Sequence, residues 1–151
     1  MKEIKILLVD DEENFVKTLS ERIQLRDQAA EVALNGEQAL KRFHENMPDV
    51  MVLDLKMPGM DGLEVLRRVK ETFPQVPVII LTGRGTEEDE KEARRLGAFD
   101  YLRKPVEIEA LMKHIRRAYK SKIEGSLTAA TFAEAGEFET AKDVMRPKKE
   151  K

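Results

Sequence analysis

Short apolar runs alternate with stretches whose apolar residues recur every three or four positions, and the alternation repeats five times. The first run, Ile4-Lys5-Ile6-Leu7-Leu8-Val9, stops at Asp10-Asp11-Glu12. Phe15, Leu19 and Ile23 follow at helical spacing, with acids in the first turn, which predicts a helix. Residues 31–34 predict a weaker second strand, Asn35-Gly36 a turn, and Ala39, Leu40 and Phe43 a second helix. Residues 50–53, Val-Met-Val-Leu, are short and wholly apolar, which predicts a strand buried on both faces. Pro58-Gly59 forces a turn beyond it. Asp61 with Glu64 predicts a capping box for a third helix carried by Leu63, Leu66, Val69 and Phe73 and closed near Pro74.

Residues 76–81 form a fourth apolar run ending at Thr82-Gly83. Thr86 and Asp89 predict another capping box, with Ala93 and Leu96 as a thin apolar face and Gly97 as the stop. Residues 98–102 predict a short fifth strand ending at Arg103-Lys104-Pro105. Ile108, Leu111, Ile115 and Ala118 predict a fifth helix. Five strand–helix alternations predict an α/β fold, a parallel sheet with helices on both faces and right-handed crossovers.

Composition narrows the setting. A length of 151 residues suits one domain with a short appendage, and 41% apolar residues suffice for a core. The net charge of −2 implies no general attraction to nucleic acid or membrane. No cysteine is present, which excludes disulfides, thiol nucleophiles and cysteine metal sites. A strand opening by Ile4 leaves no room for a signal peptide, and no apolar run approaches the ~20 residues of a membrane span. A cytoplasmic protein is expected.

The candidate chemistry gathers at strand ends. Asp10 and Asp11 follow the first strand, Asp54 ends the third, Thr82 follows the fourth and Lys104 the fifth. A carboxylate beside apolar neighbours is costly unless paired, bound to metal or used. In open α/β sheets the carboxyl edge is where ligands bind. If strands one and three are neighbours, three carboxylates converge and repel. A hard divalent cation relieves that, and Mg²⁺ suits few carboxylates with several waters. Carboxylate nucleophile, Mg²⁺, lysine and hydroxyl are the parts that stabilise a transferring phosphoryl group. Taken singly each part has a plainer reading: Asp10 and Asp11 as helix caps, Asp54 as a buried structural acid, Thr82 and Lys104-Pro105 as strand-end and turn residues, Tyr101 as a core aromatic. Their joint placement at one edge is what those readings do not predict.

These residues resemble the receiver domain of bacterial two-component response regulators, of the single-domain, chemotaxis-regulator-like kind. The likeness rests on Leu8-Val9-Asp10-Asp11-Glu12, Asp54 with Met57-Pro58-Gly59-Met60-Asp61-Gly62, Leu81-Thr82, Gly97-Ala98 and Tyr101-Leu102-Arg103-Lys104-Pro105. It spans about residues 4 to 120. The resemblance implies a flavodoxin-like five-stranded sheet in the order 2-1-3-4-5. It implies that Asp54 accepts phosphate from a sensor histidine kinase or phosphotransfer protein. Asp10, Asp11, Asp54 and the backbone carbonyl of Lys56 would hold Mg²⁺. Lys104 and Thr82 would contact the phosphoryl oxygens, Thr82 and Tyr101 would form a switch pair, and Lys104-Pro105 would be cis. Phosphorylation would turn Tyr101 inward and alter binding of a downstream protein. Lys56 and Arg84, two residues after Asp54 and Thr82, are expected to flank the mouth and steady an acyl phosphate, with solvated surface cations as the alternative.

Two other readings compete. One is a Mg²⁺-dependent phosphohydrolase with an aspartyl-phosphate, like the haloacid-dehalogenase-like family, which wants a second Asp where Lys56 stands. The other is a receiver-like module that binds partners without phosphorylation.

The receiver-like part is expected over residues 1–122, and a helical extension with a charged tail over 123–151, with no effector domain. From Lys122 onward six acids balance six bases, so no DNA-reading face is expected. Leu127, Ala130 and Ala133 predict a short helix, Gly136 a break, and Phe138, Ala141 and Met145 a second helix. Such a hairpin over 126–146 would need a surface to dock on, either the receiver itself, the copy in a homodimer or the downstream target.

Overall fold

The structure is a computed structural model, and it describes residues 3–135. Its elements are β1 (Lys5–Val9), α1 (Glu13–Gln24), β2 (Ala29–Ala33), α2 (Gly36–Glu45), β3 (Val50–Leu53), α3 (Gly62–Thr72), β4 (Val78–Thr82), α4 (Glu87–Arg95), β5 (Asp100–Arg103) and α5 (Ile108–Ala135). The five strands form one parallel sheet in the order β2-β1-β3-β4-β5. This is the expected flavodoxin-like α/β fold.

Strand alternation divides the core into two layers. Leu7, Val9, Met51, Leu53, Val78 and Ile80 face α2, α3 and α4, meeting Phe43, Val65, Leu66, Val69 and Ala93. Ile6, Leu8, Val50, Val52, Ile79 and Leu81 face α1 and α5, meeting Val16, Leu19, Ile23, Leu111, Met112 and Ile115. Both faces of β3 are covered, which is why its pattern is a continuous apolar run.

Local signals mostly act as their chemistry dictates. Thr86 and Asp89 form the reciprocal capping box of α4, with both bonds at 3.0 Å. Gly97 at φ +105° ends α4, and the N–H groups of Gly97 and Ala98 return to the carbonyls of Arg94 and Ala93. That is the Schellman arrangement, in which glycine avoids the Cβ clash.

Three expectations need correction. Asn35-Gly36 is not a turn between elements: Asn35 is the N-cap of α2, its Oδ1 accepting from the Gln38 N–H at 2.9 Å. Asp61 caps α3 through the Leu63 N–H, but Glu64 does not complete a box, because Arg67 and Arg68 take its carboxylate. Finally, Leu127, Ala130 and Ala133 do not lie on a separate helix. They fall within α5, since no proline interrupts 108–135 and Gly125 alone is a weak breaker.

The chain divides into one unit ending at Tyr119 and a second beginning at Lys120. In the second, Lys120 and Glu124 pair one turn apart at 3.8 Å. Gly136 and the helix expected at 138–145 lie outside the described residues.

Candidate functional site

Register brings the acids together. β1 and β3 are neighbours, with Val9 opposite Leu53, so Asp10 and Asp54 leave the sheet side by side. The Asp54 N–H donates to the Val9 carbonyl at 2.9 Å, and the Asp10 N–H to Ala33 at 3.1 Å, which fixes both backbones. Asp10, Asp11 and Asp54 each offer a carboxylate oxygen within 4.8 Å of the others. Asp10 and Asp54 are each only 4% exposed, so water does little to screen their repulsion.

Lys104 supplies the compensating charge from the end of β5. Its Nζ lies 2.8 Å from Asp10 Oδ2 and 2.8 Å from Glu12 Oε1, and 4.3 Å above the centre of the Phe15 ring. The Lys104–Pro105 peptide is cis, as the resemblance implied. Burial pulls the Lys104 pKa down, but its bonds to Asp10 and Glu12 outweigh that and leave it raised. Burial pushes Asp10 up, against the lowering by Lys104 and the Glu12 N–H, and the charge of Asp54 adds to the rise. Glu12 is held below the usual carboxylate range, first by its bond to Lys104. Glu12 as a second partner of Lys104 was not anticipated. The only sign of it in the sequence is the third acid of the run at 10–12.

The helix-cap reading of the first two acids fails in part. The N-cap of α1 is Glu12, which makes no side-chain cap bond. Asp10 Oδ1 accepts from the Glu12 N–H at 2.9 Å, while its other oxygen serves Lys104. Asp11 Oδ1 is buried with no hydrogen-bond partner. A buried carboxylate oxygen without a donor is costly unless a cation meets it.

Thr82 is 1% exposed at the end of β4, and its hydroxyl accepts weakly from the Arg84 N–H at 3.4 Å. The charged ends of Lys56 and Arg84 are both engaged. Lys56 Nζ pairs with Asp89 Oδ2 at 3.1 Å, and Arg84 Nη2 donates to the Lys56 carbonyl at 3.2 Å.

Tyr101 already lies inward here, 7% exposed, with its hydroxyl buried and unpartnered. The Arg103 guanidinium sits 5.5 Å from its ring centre and donates to the Gly85 carbonyl at 3.0 Å. Gly85 makes room for the ring, because a Cβ there would stand 1.8 Å from the Tyr101 hydroxyl. Gly85→Ala is therefore expected to expel Tyr101 from its slot. Acrylamide quenching of tyrosine fluorescence, in a Tyr119→Phe background, checks this: quenching should rise, and unchanged quenching would contradict it.

The response regulator receiver domain model matches residues 6–116. The chain belongs to that family. This receiver is 35% identical over 153 residues to the transcriptional regulatory protein YkoG of Bacillus subtilis, covering 99% of this chain and 67% of YkoG. It is 38% identical over 113 residues to the transcriptional regulatory protein TrcR of Mycobacterium tuberculosis, covering 75% of this chain and 44% of TrcR. A crystal structure of a receiver domain protein from Clostridium thermocellum superposes with a TM-score of 0.75 at 36% identity, covering 79% of this chain and 96% of that one. The chain thus spans two thirds of YkoG and less than half of TrcR. Among the described residues, no helix of the receiver is long and apolar enough to cross a membrane.

Proposed function

We propose that this receiver is a phosphorylation-driven binding module whose phosphoacceptor is Asp54. The observation that carries the reading is the convergence of Asp10, Asp11 and Asp54 with Lys104 at one edge of the sheet. In uptake, an Asp54 carboxylate oxygen attacks the phosphorus of a phosphohistidine on a sensor kinase or phosphotransfer protein. The P–N bond breaks, an acyl phosphate forms on Asp54, and the leaving imidazole nitrogen takes up a proton. Lys104 and Thr82 bind the phosphoryl oxygens as charge shifts onto them. Loss of phosphate is the attack of water on the same phosphorus, which regenerates the Asp54 carboxylate. Asp54 is its own protein's substrate, so the domain is a self-modifying switch rather than an enzyme with turnover on others.

The donor set suits Mg²⁺. Asp10, Asp11, Asp54 and the Lys56 carbonyl are all hard oxygens, and the orphaned Asp11 Oδ1 is the atom a cation would satisfy. When bound, the ion neutralises the carboxylates and the phosphoryl oxygens. Acetyl phosphate tests both ideas by intact mass. Wild type should gain one phosphoryl group with Mg²⁺ and none with a chelator present. Equal gain in both would exclude the metal role.

Thr82 couples the site to the α4–β5 surface in this reading, because its methyl faces the slot that holds Tyr101. Thr82→Ala should still accept phosphate yet lose most of the change in amide exchange over α4 and β5 that beryllofluoride induces. A change as large as in wild type would refute the coupling.

The remaining assignments go with this reading. The domain spans 1–122 and works in the cytoplasm. Residues 126–146 act as an output element toward a downstream protein or a second copy, without reading DNA. The balance of six acids and six bases after residue 121 supports the last point.

A further inference from the structure

Arg84 carries a contact that the phosphoryl chemistry does not use. Its Nη2 donates to the Lys56 carbonyl at 3.2 Å, bridging the loop after β4 to the loop after β3. Its backbone N–H leans on Thr82 Oγ1, so the root of the side chain is tied to the strand end. Its charge also reaches Glu12, on the loop after β1, where Lys104 exerts the larger effect. Glu12 shares Lys104 with Asp10. The guanidinium therefore bridges the loops after β3 and β4, and its charge reaches the loop after β1. Meanwhile the Lys56 ammonium is drawn off to Asp89, leaving its carbonyl to Arg84.

The consequence follows from charge and lone pairs. A guanidinium on the Lys56 oxygen engages an acceptor that a divalent ion needs, and it places one positive charge where two more would arrive. We propose that Arg84 is a resident cation that the divalent ion must displace, so that Arg84 sets how much Mg²⁺ the receiver needs. The proposal rests on the metal reading above and deepens it. Ion binding and release of Arg84 from the carbonyl become one event, and the freed guanidinium stays tethered beside the phosphorylation site.

Calorimetric titration of the full chain with Mg²⁺ alone tests this. Arg84→Met removes charge and donors at similar length, and should tighten Mg²⁺ binding by about fivefold, the low end of ordinary coupling between two ligands. Arg84→Lys keeps the charge but not the planar fork, and should fall between the two. In wild type, the Arg84 Nε–Hε resonance should shift during the same titration. An Arg84→Met protein that binds Mg²⁺ no more tightly than wild type overturns the inference while leaving the metal reading intact. Absence of Mg²⁺ binding in all three proteins overturns both.

Discussion

Asp54→Asn is expected to abolish phosphoryl uptake from acetyl phosphate while making the domain more stable. An amide oxygen is a poor nucleophile, and the other two acids of the cluster serve Lys104 and the cation. Asp10 is committed to Lys104 and to the Glu12 N–H. Asp11 stands two residues beyond the end of β1, with a buried oxygen placed for a cation. The stability gain comes from removing one of three crowded charges. Unit charges on carboxylate oxygens no more than 4.8 Å apart repel by at least about 3.5 kcal/mol at an effective dielectric of about 20. Lys104 already cancels part of this, so a net gain of about 1 kcal/mol is expected in the absence of divalent ions. Intact mass and urea melts with a chelator present read the two effects. A variant that takes up phosphate like wild type, or one that is less stable, would contradict the corresponding half.

Gly62→Ala should be the most damaging single methyl in the domain. Gly62 opens α3, and its N–H donates to the Leu55 carbonyl at 2.9 Å. A Cβ there would lie 2.3 Å from the Asp54 carbonyl oxygen and 2.5 Å from Leu55 Cα. Both obstacles are backbone, so no rotamer change relieves them. Either α3 moves off the sheet or the backbone of Asp54 is displaced. The expected cost is about 3 kcal/mol, the upper range for overpacking. Because the strain falls on Asp54, phosphoryl uptake should also drop well below that of wild type under conditions where the variant is still folded. A denaturation midpoint within error of wild type would show that the clash is absorbed elsewhere.

The acids of the site were legible because their placement is one-dimensional. An apolar run that ends in Asp10-Asp11, or in Asp54, marks both a strand and its carboxyl edge. Parallel pairing then does the rest, since Val9 opposite Leu53 leaves no other place for the next residues. What the sequence left hidden depends on crossings in space. Glu12 and Lys104 meet over 92 positions, and Arg84 reaches the Lys56 carbonyl over 28. Long cations have many reachable partners, and nothing local selects one. Asn35-Gly36 was ambiguous because the same dipeptide suits a turn and a helix cap. Glu64 left its box because two arginines one turn away compete for the carboxylate. The true start of β2 was hidden by Ala29 and Ala30, which are too small to mark a face. Their place is set by pairing with Lys5 and Ile6.

Direct chemical location of the phosphoryl group is the decisive measurement. Wild-type protein is phosphorylated with acetyl phosphate and Mg²⁺, then reduced with borohydride, which converts an acyl phosphate into an alcohol at the labelled side chain. Peptide mapping should find the reduced residue at position 54 and nowhere else. Reduction at Asp10 or Asp11, or a phosphoryl group that borohydride leaves in place on another side chain, would contradict the account.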